Sequence, residues 1–354
     1  MLLQTGGKKK MKRIKKIAAL IAACALVITA LAACGGGGTT PSGSGAAPAG
    51  SGSGAAPAPA GKTYTVGICQ LVQHVALDSA TKGFREALTE ELGEGAVEFD
   101  EQNASGDSAT CATICNGFVS DGVDLIMANA TPALQAAAAA TDKIPILGTS
   151  ISTYGAALNL TDFSGVVGGN ISGTSDLAPL DQQAEMLKEI FPDAKTVGIM
   201  YCSSEANSVY QADEIEKYLT DMGLTVNRYT FADSNDVSLV TQEACDNNDV
   251  LYIPTDNTAA SCTDAIDAVA KGAKTPIVTG EEGICAGCGV VTLTIDYYEL
   301  GRITGQMAAK VLTGEADIST MEIQYFPDTT KKVNTANAEF YGITVPEDYV
   351  AIEE

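Results

Sequence analysis

Tryptophan is absent from the 354 residues, and histidine occurs once, as His74. A single histidine excludes a His-rich zinc centre and makes any His-based hydrolase depend on that one side chain. Basic residues are scarce too: 21 Lys and Arg stand against 44 Asp and Glu, a formal charge of −23. Seven of the 21 (Lys8, Lys9, Lys10, Lys12, Arg13, Lys15 and Lys16) lie in the first 16 positions, and residues 1–33 hold no acid. The remainder therefore sets 14 basic against 44 acidic residues, a balance of −30. Such a chain repels phosphate backbones, which argues against nucleic-acid binding. What is present is apolar: 45% hydrophobic residues with only 18% charged supply a sizeable core. The length suggests two to three domains.

The basic start is followed by an apolar run from Ile17 to Ala33, 17 residues long. That is short for a membrane span and has the order of a secretory signal: basic region, apolar region, small residues. Its end, Leu31-Ala32-Ala33-Cys34, resembles a bacterial lipobox. The resemblance implies diacylglycerol on the Cys34 sulfur, cleavage before it, and anchoring on the outer face of the cell membrane, as in a Gram-positive-like envelope. An ordinary signal peptide with an incidental cysteine, or an uncleaved anchor, are the other readings. Residues 35–61 are all Gly, Ala, Ser, Pro or Thr without charge, a composition that cannot bury a core. A flexible tether of that length spans on the order of 30 Å. Residues 1–33 thus read as signal peptide and 34–61 as lipidated cysteine plus disordered linker. No later segment is apolar enough to span a membrane.

From residue 63 the pattern alternates. Strands are expected at Thr63–Val72, Val97–Phe99, Leu125–Ala130, Ile144–Thr149, Thr196–Tyr201, Thr225–Phe231, Val250–Thr255, Pro276–Thr279 and Val290–Ile295. Helices are expected at Asp78–Leu92, Ser108–Val119, from Pro132, and at Asp181–Ile190, Asn207–Met222, Ala260–Ala270 and Tyr298–Leu312. Short apolar strands separated by helices indicate α/β architecture with parallel sheets covered on both faces. The strands fall into two series, before and after about residue 172, which suggests two doubly wound Rossmann-like lobes; a (β/α)8 barrel is the alternative. Ligands of open parallel sheets sit beyond the C-terminal strand ends. Unusual residues collect there: Gln70 to His74, Thr131-Pro132, Ser203 to Asn207, Thr255 to Asn257, and Glu281 to Gly283.

The runs VGICQLVQHVALDSATKGFREAL, GDSATCATICNGFVSDGVDLIMANATPALQAA, SGTSDLAP, SSEANSVYQ, YIPTDNTAAS and TLTIDYYELGRITGQMAAKVLTGE resemble the substrate-binding lipoproteins of ABC importers. The likeness is to the TrpX-like subgroup associated with tryptophan, tyrosine or phenylalanine, and covers Thr63 to Val345. It implies a type I periplasmic-binding-protein fold, crossing between lobes near Ile171–Ser175, Ile295–Asp296 and Tyr325–Phe326. Lobe 1 would comprise residues 62–173 plus 296–325, and lobe 2 residues 174–295 plus 326–354. The sequence departs from the family pattern at Gln73-His74-Val75, where Glu-His-Pro is usual, at Cys202-Ser203 in place of Asn-Pro, and at Glu281-Glu282-Gly283 in place of Asp-Glu-Gly.

An amino-acid ligand brings one carboxylate, one ammonium and one side chain. Thr131, at a helix start, suits the carboxylate or merely caps the helix. Asp256 suits the ammonium or caps the next helix; Asp176, Glu205 and Glu282 are further acidic candidates. Leu71, Val72, His74, Tyr154 and Tyr201 are candidates for the side-chain pocket. The full candidate set is Gln70, Leu71, Val72, His74, Thr131, Ser175, Asp176, Ser204, Glu205, Asn207, Asp256, Asn257 and Glu282. Asp78, in the first turn of its helix, reads as complementing the macrodipole. The expected partners are the small ligand, permease subunits and, through lipid alone, the membrane, with the protein a monomer.

Neither cofactor, metal nor catalytic residue is expected. Of the cysteines after Cys34, Cys111 and Cys115 are four apart on one helix, a poor disulfide geometry. Cys285-Ala-Gly-Cys288 falls in what reads as a Gly-rich loop, without a second close pair for zinc. A receptor or sensor for a sugar or nucleoside, or an extracellular thiol enzyme, are the alternative functions; the lack of Trp fits a non-sugar ligand better.

Overall fold

The alternating apolar run Tyr64–Gln70 forms β1, buried on both faces as a central parallel strand must be. A computed structural model describes residues 62–353. Within that range the first series continues through α1 (Val75–Leu92), β2 (Val97–Asn103), α2 (Ser108–Asp121), β3 (Leu125–Asn129), α3 (Thr131–Ala140), β4 (Ile146–Ile151), α4 (Tyr154–Ala157) and β5 (Ile171–Ser175). The second comprises α5 (Leu180–Ile190), β6 (Thr196–Cys202), α6 (Ala206–Asp221), β7 (Thr225–Phe231), α7 (Val237–Asn247), β8 (Val250–Ile253), α8 (Asn257–Ala260), α9 (Thr263–Ala273), β9 (Ile277–Thr279), α10 (Glu282–Cys288) and β10 (Val291–Thr294). Helix α11 (Tyr297–Thr313), β11 (Gln324–Tyr325), β12 (Thr330–Val333), α12 (Thr335–Tyr341) and β13 (Val350–Ala351) complete the chain.

The strands make two sheets, ordered β11-β5-β4-β3-β1-β2 and β13-β12-β10-β9-β8-β6-β7. Two open sheets define two Rossmann-like lobes and rule out the barrel alternative. The chain passes between them after β5, between β10 and α11, and between β11 and β12. Helix α11 lies against α1 and so belongs with the first sheet, although the strand before it belongs to the second. Apolar clusters cover both faces of each sheet: Phe84, Leu88 and Met307 on one side of the first, Phe118, Leu134 and Tyr154 on the other. No helix of the described residues is long and apolar enough to cross a membrane. The expected signal peptide 1–33, lipidation at Cys34 and linker 35–61 lie outside the described residues.

Three expectations change. Helix α7 stands where no helix was expected: its buried stripe, Val237, Thr241, Ala244 and Cys245, is too small and polar to announce itself by periodicity. The expected helix Ala260–Ala270 is two helices, broken at Ser261–Cys262. The Cys285–Cys288 segment is helix α10 rather than a loop, because Glu281 caps its first turn by accepting from the N–H groups of Gly283 and Ile284.

Candidate functional site

The C-terminal strand ends of the two lobes face a shared cleft. His74, Ala76 and Leu77 at the start of α1 form one wall. Thr255, Asp256, Asn257, Ala260 and Glu281 form the other, with Asp176 and Tyr297 at the passages between lobes. The space left for solvent among them is about 10 Å³, no more than one water needs. Small-molecule pockets usually need roughly 300 Å³ or more. A ligand can therefore enter only if the lobes part, and the arrangement described is a closed one. A wider mouth of about 220 Å³ lies outside it, lined by Leu71, Val72, Ser204, Glu205 and Asn257 among others.

Direct hydrogen bonds join the walls. His74 Nε2 lies 3.3 Å from Asn257 Oδ1, and Gln211 of α6 donates to Ser152 Oγ, beyond the end of β4, at 3.0 Å. The second wall is built by carboxylates holding helix starts. Asp256 accepts from the N–H of Ala259 at 2.8 Å and of Cys202 at 2.6 Å. Glu205 begins α6 but reaches across to α8. It accepts from the backbone N–H of Asn257 (3.1 Å) and Thr258 (2.9 Å), and from their side chains at 2.6 and 2.7 Å. These four donors from α8, with Asn207 Nδ2 as a fifth at 3.4 Å, surround one buried carboxylate and fix Asn257 in place.

At the end of β3, Ala130 adopts φ 86°, ψ 157°, a conformation essentially reserved for glycine. The strain turns the chain sharply from β3 into α3 and leaves the Thr131 hydroxyl buried without a protein partner. Other buried polar atoms without partners are Asn129 Oδ1, Ser150 Oγ, Asn207 Oδ1, Asp267 Oδ1, Thr292 Oγ1, Tyr341 Oη, Asp176 Oδ1 and His74 Nδ1, of which the last two belong to residues lining the void. Asp176 is 4% exposed and only its other oxygen is engaged, accepting from the Tyr297 hydroxyl at 3.0 Å. Native proteins seldom leave buried polar atoms unpaired, so the two at the void, Asp176 Oδ1 and His74 Nδ1, mark where a polar ligand would complete the set.

The electrostatics are lopsided. Burial pushes Asp176 up to about 6. Burial, and then the nearby Glu205, push Asp256 up to about 7, and burial pushes Glu281 up to about 7. Burial holds His74 below its ordinary value, so its ring is neutral near pH 7. No Lys or Arg lines the void. A cationic group entering this space would meet acceptors and negative charge with no competing side-chain cation.

Of the sequence candidates, the structure brings His74, Asp176, Asp256 and Asn257 to the void, and Leu71, Val72, Ser204 and Glu205 to its mouth. Others stand apart. Gln70 is saturated inside lobe 1, donating to Val72 O and Asp78 and accepting from Thr81. Ser175 Oγ donates to Ser152 O. Asn207 donates to Thr255 O, behind the second wall. Glu282 is ion-paired with Lys332 at 2.5 Å, and its neighbour Glu281 occupies the void instead, since the capping carboxylate must turn inward over the helix start. Asp78 bonds Gln70 rather than only facing a helix dipole. The expected aromatic walls are also corrected: Tyr154 is core, donating to Gly148 O and Thr174 O, and Tyr201 packs inside lobe 2. The aromatic ring at the void is Tyr297, overlooked because it follows a lobe passage rather than a strand end. Cys285 and Cys288 are free and fully buried, and burial raises both thiols, the opposite of a reactive pair.

Two hinged α/β lobes around a closed cleft of unsatisfied acceptors define a ligand-binding receptor. The chain belongs to the ABC transporter substrate binding protein family, which matches residues 65–353. It is 37% identical over 257 residues to the tyrosine-binding protein of Clostridioides difficile, covering 72% of this chain and 74% of the relative. It is 32% identical, with a TM-score of 0.79, to an ABC domain from Streptococcus pneumoniae solved in complex with L-Trp, over 82% of this chain and 100% of that one. The ligand-free, open structure of a Clostridium difficile substrate binding protein with adhesive properties is 37% identical over 82% of this chain and 99% of that one, yet its TM-score is only 0.63. The poorer fit to an open structure of higher identity agrees with the closed cleft described here.

Proposed function

We propose that this protein is the extracytoplasmic receptor of an ABC importer and captures a small amino acid, an aromatic one by preference, between its lobes. The observation that carries the ligand class is the void itself: Asp176 presents an unpartnered buried oxygen there, beside Asp256 and Glu281, with no basic side chain to neutralise them. An α-ammonium supplies that missing charge. The Thr131 and Ser150 hydroxyls, buried and unpartnered at the start of α3 and near the end of β4, suit the carboxylate, and at the void itself Ala76, Leu77, Ala260 and the Tyr297 ring give apolar surface to the side chain. Similarity to a tyrosine-binding protein and to an L-Trp complex supports the aromatic preference. A sugar or nucleoside brings no ammonium and leaves the acids uncompensated.

In this reading the moving units are residues 62–173 plus 296–325 and residues 174–295 plus 326–354. Ligand binds to one lobe, the other rotates onto it, and the three passages absorb the rotation. Closure is favoured only by the extra contacts the ligand makes in the closed state. The bound molecule is released unchanged, so no catalytic group is needed. Cys34 carries the lipid, the 34–61 segment tethers the monomeric receptor outside the membrane, and permease subunits receive the closed form. Calorimetry of the purified chain against all twenty amino acids tests the reading. One-to-one binding confined to aromatic members is expected, and a panel without heat or thermal shift would remove amino acids as the ligand class.

A further inference from the structure

The amide orientation of Asn257 determines what the cleft can recognise through His74. Asn257 Nδ2 donates to Glu205 Oε2 at 2.6 Å, so the atom 3.3 Å from His74 Nε2 is Oδ1, which can only accept. Nε2 must then carry the ring proton. With the imidazole neutral, Nδ1 is left as a bare lone pair, buried and unpartnered, on a ring that lines the void. Asp176 Oδ1 is the second unpartnered acceptor of the same void, on a side chain only 4% exposed.

Resting on the amino-acid reading above, we infer that His74 is a specificity residue that accepts a hydrogen bond from the ligand's ammonium through Nδ1, with its tautomer set by the Glu205–Asn257 pair of the opposite lobe. Ammonium supplies three donors, and two acceptors wait for them. Because the tautomer is fixed only when Asn257 reaches His74, the acceptor is assembled by closure. A ligand whose amine is acylated has one N–H and no charge, and is rejected. Protonation of His74 would turn Nδ1 into a donor and repel the ammonium. The charged groups facing the ring, Glu205 from α6 and Asp78 from α1, favour that protonation, whereas burial opposes it.

The chain's single histidine makes the test direct. Protein grown with ¹⁵N-histidine gives one imidazole in a two-bond proton–nitrogen spectrum. At pH 7.5 (about one unit above the ordinary histidine value) the closed, amino-acid-bound protein is expected to show a protonated Nε2 and an accepting Nδ1. L-tyrosine or L-tryptophan should shift Nδ1 towards the hydrogen-bonded position, and N-acetyl-L-tyrosine should not. An Nδ1–H tautomer in the bound protein overturns the inference, as does calorimetric binding without change at Nδ1. Silence with every amino acid overturns both this and the ligand reading. Two variants separate the halves of the ring. In His74→Asn the side-chain oxygen replaces Nδ1, and in His74→Gln the side-chain amide replaces Nε2. His74→Gln should lose about tenfold to a hundredfold in affinity, the worth of one hydrogen bond to a charged group. His74→Asn should lose less, and the reverse order would overturn the assignment.

Discussion

Gly301 of α11 faces the carbonyl of Ala80 on α1 so closely that a β-carbon on it would lie 2.0 Å from that oxygen. Gly83 stands in the reciprocal relation to the carbonyl of Tyr298, also at 2.0 Å. The two backbones meet without side chains between them, and backbone cannot step aside as a flexible side chain can. Gly301→Ala and Gly83→Ala are each expected to destabilise the protein by about 3 kcal/mol, the upper range for overpacking. Urea unfolding checks this, and a wild-type midpoint in both variants would show that the helices separate freely.

Glu205 holds four donors at the start of α8. Glu205→Ala strands them in a largely buried place, and a loss of about 3 kcal/mol is expected. The same change removes a negative charge beside Asp256, so the Asp256 carboxyl should titrate lower. Thermal melting and carboxyl-labelled NMR read the two effects, and an unchanged melting temperature would remove Glu205 as an organiser of the second wall.

The buried acids give a pH dependence of definite sign. Asp176, Asp256 and Glu281 titrate near 6, 7 and 7 in the folded chain, above the ordinary 3.9 to 4.3 of unfolded carboxylates. The folded state therefore binds more protons than the unfolded one between about pH 4 and 7. Stability from these groups is fully present below pH 4 and lost as pH rises through 6 to 7. Asp124 and Asp249, held low by hydrogen bonds and, for Asp124, Lys62, act oppositely and lose their contribution in strong acid. Ligand-free protein should melt highest near pH 4 and lose at least about 1 kcal/mol per pH unit between 5 and 7. A bound amino acid should flatten the curve. Melting temperatures that climb from pH 5 to 8 without ligand would contradict the burial of these acids.

Ala130 occupies a backbone region that costs a residue with a β-carbon about 1 to 3 kcal/mol. Ala130→Gly should raise stability by about 1 kcal/mol, after the entropy glycine loses on folding. Chemical denaturation measures it, and a destabilised variant would mean the bend into α3 is not strained.

Much of the fold was legible because most of its strands are short apolar runs and its helices carry a clear stripe. The strand Thr225–Phe231 coincides with β7 residue for residue. What escaped was small or non-local. Helix α7 buries alanine, cysteine and threonine, and α10 depends on a glutamate cap rather than on periodicity. At the cleft, strand-end position correctly drew attention to Asp256, Asn257 and His74, but could not tell which of two adjacent acids turns inward. Glu281 does so because capping binds its carboxylate to the helix start, while Glu282, one residue on, reaches Lys332 on a strand fifty residues away. Tyr297 is brought in by tertiary crossing alone, and no local pattern marks it.

The placement of α11 bears on how the molecule comes into being. The first sheet waits for a helix that ends at Thr313, after the whole second series has been made. A nascent chain stopped anywhere before that point would leave the apolar side of α1 uncovered. Neither half can be cut out as a contiguous piece, and a chain threaded outward through a membrane pore in extended form would complete its first half only when nearly all of it had emerged.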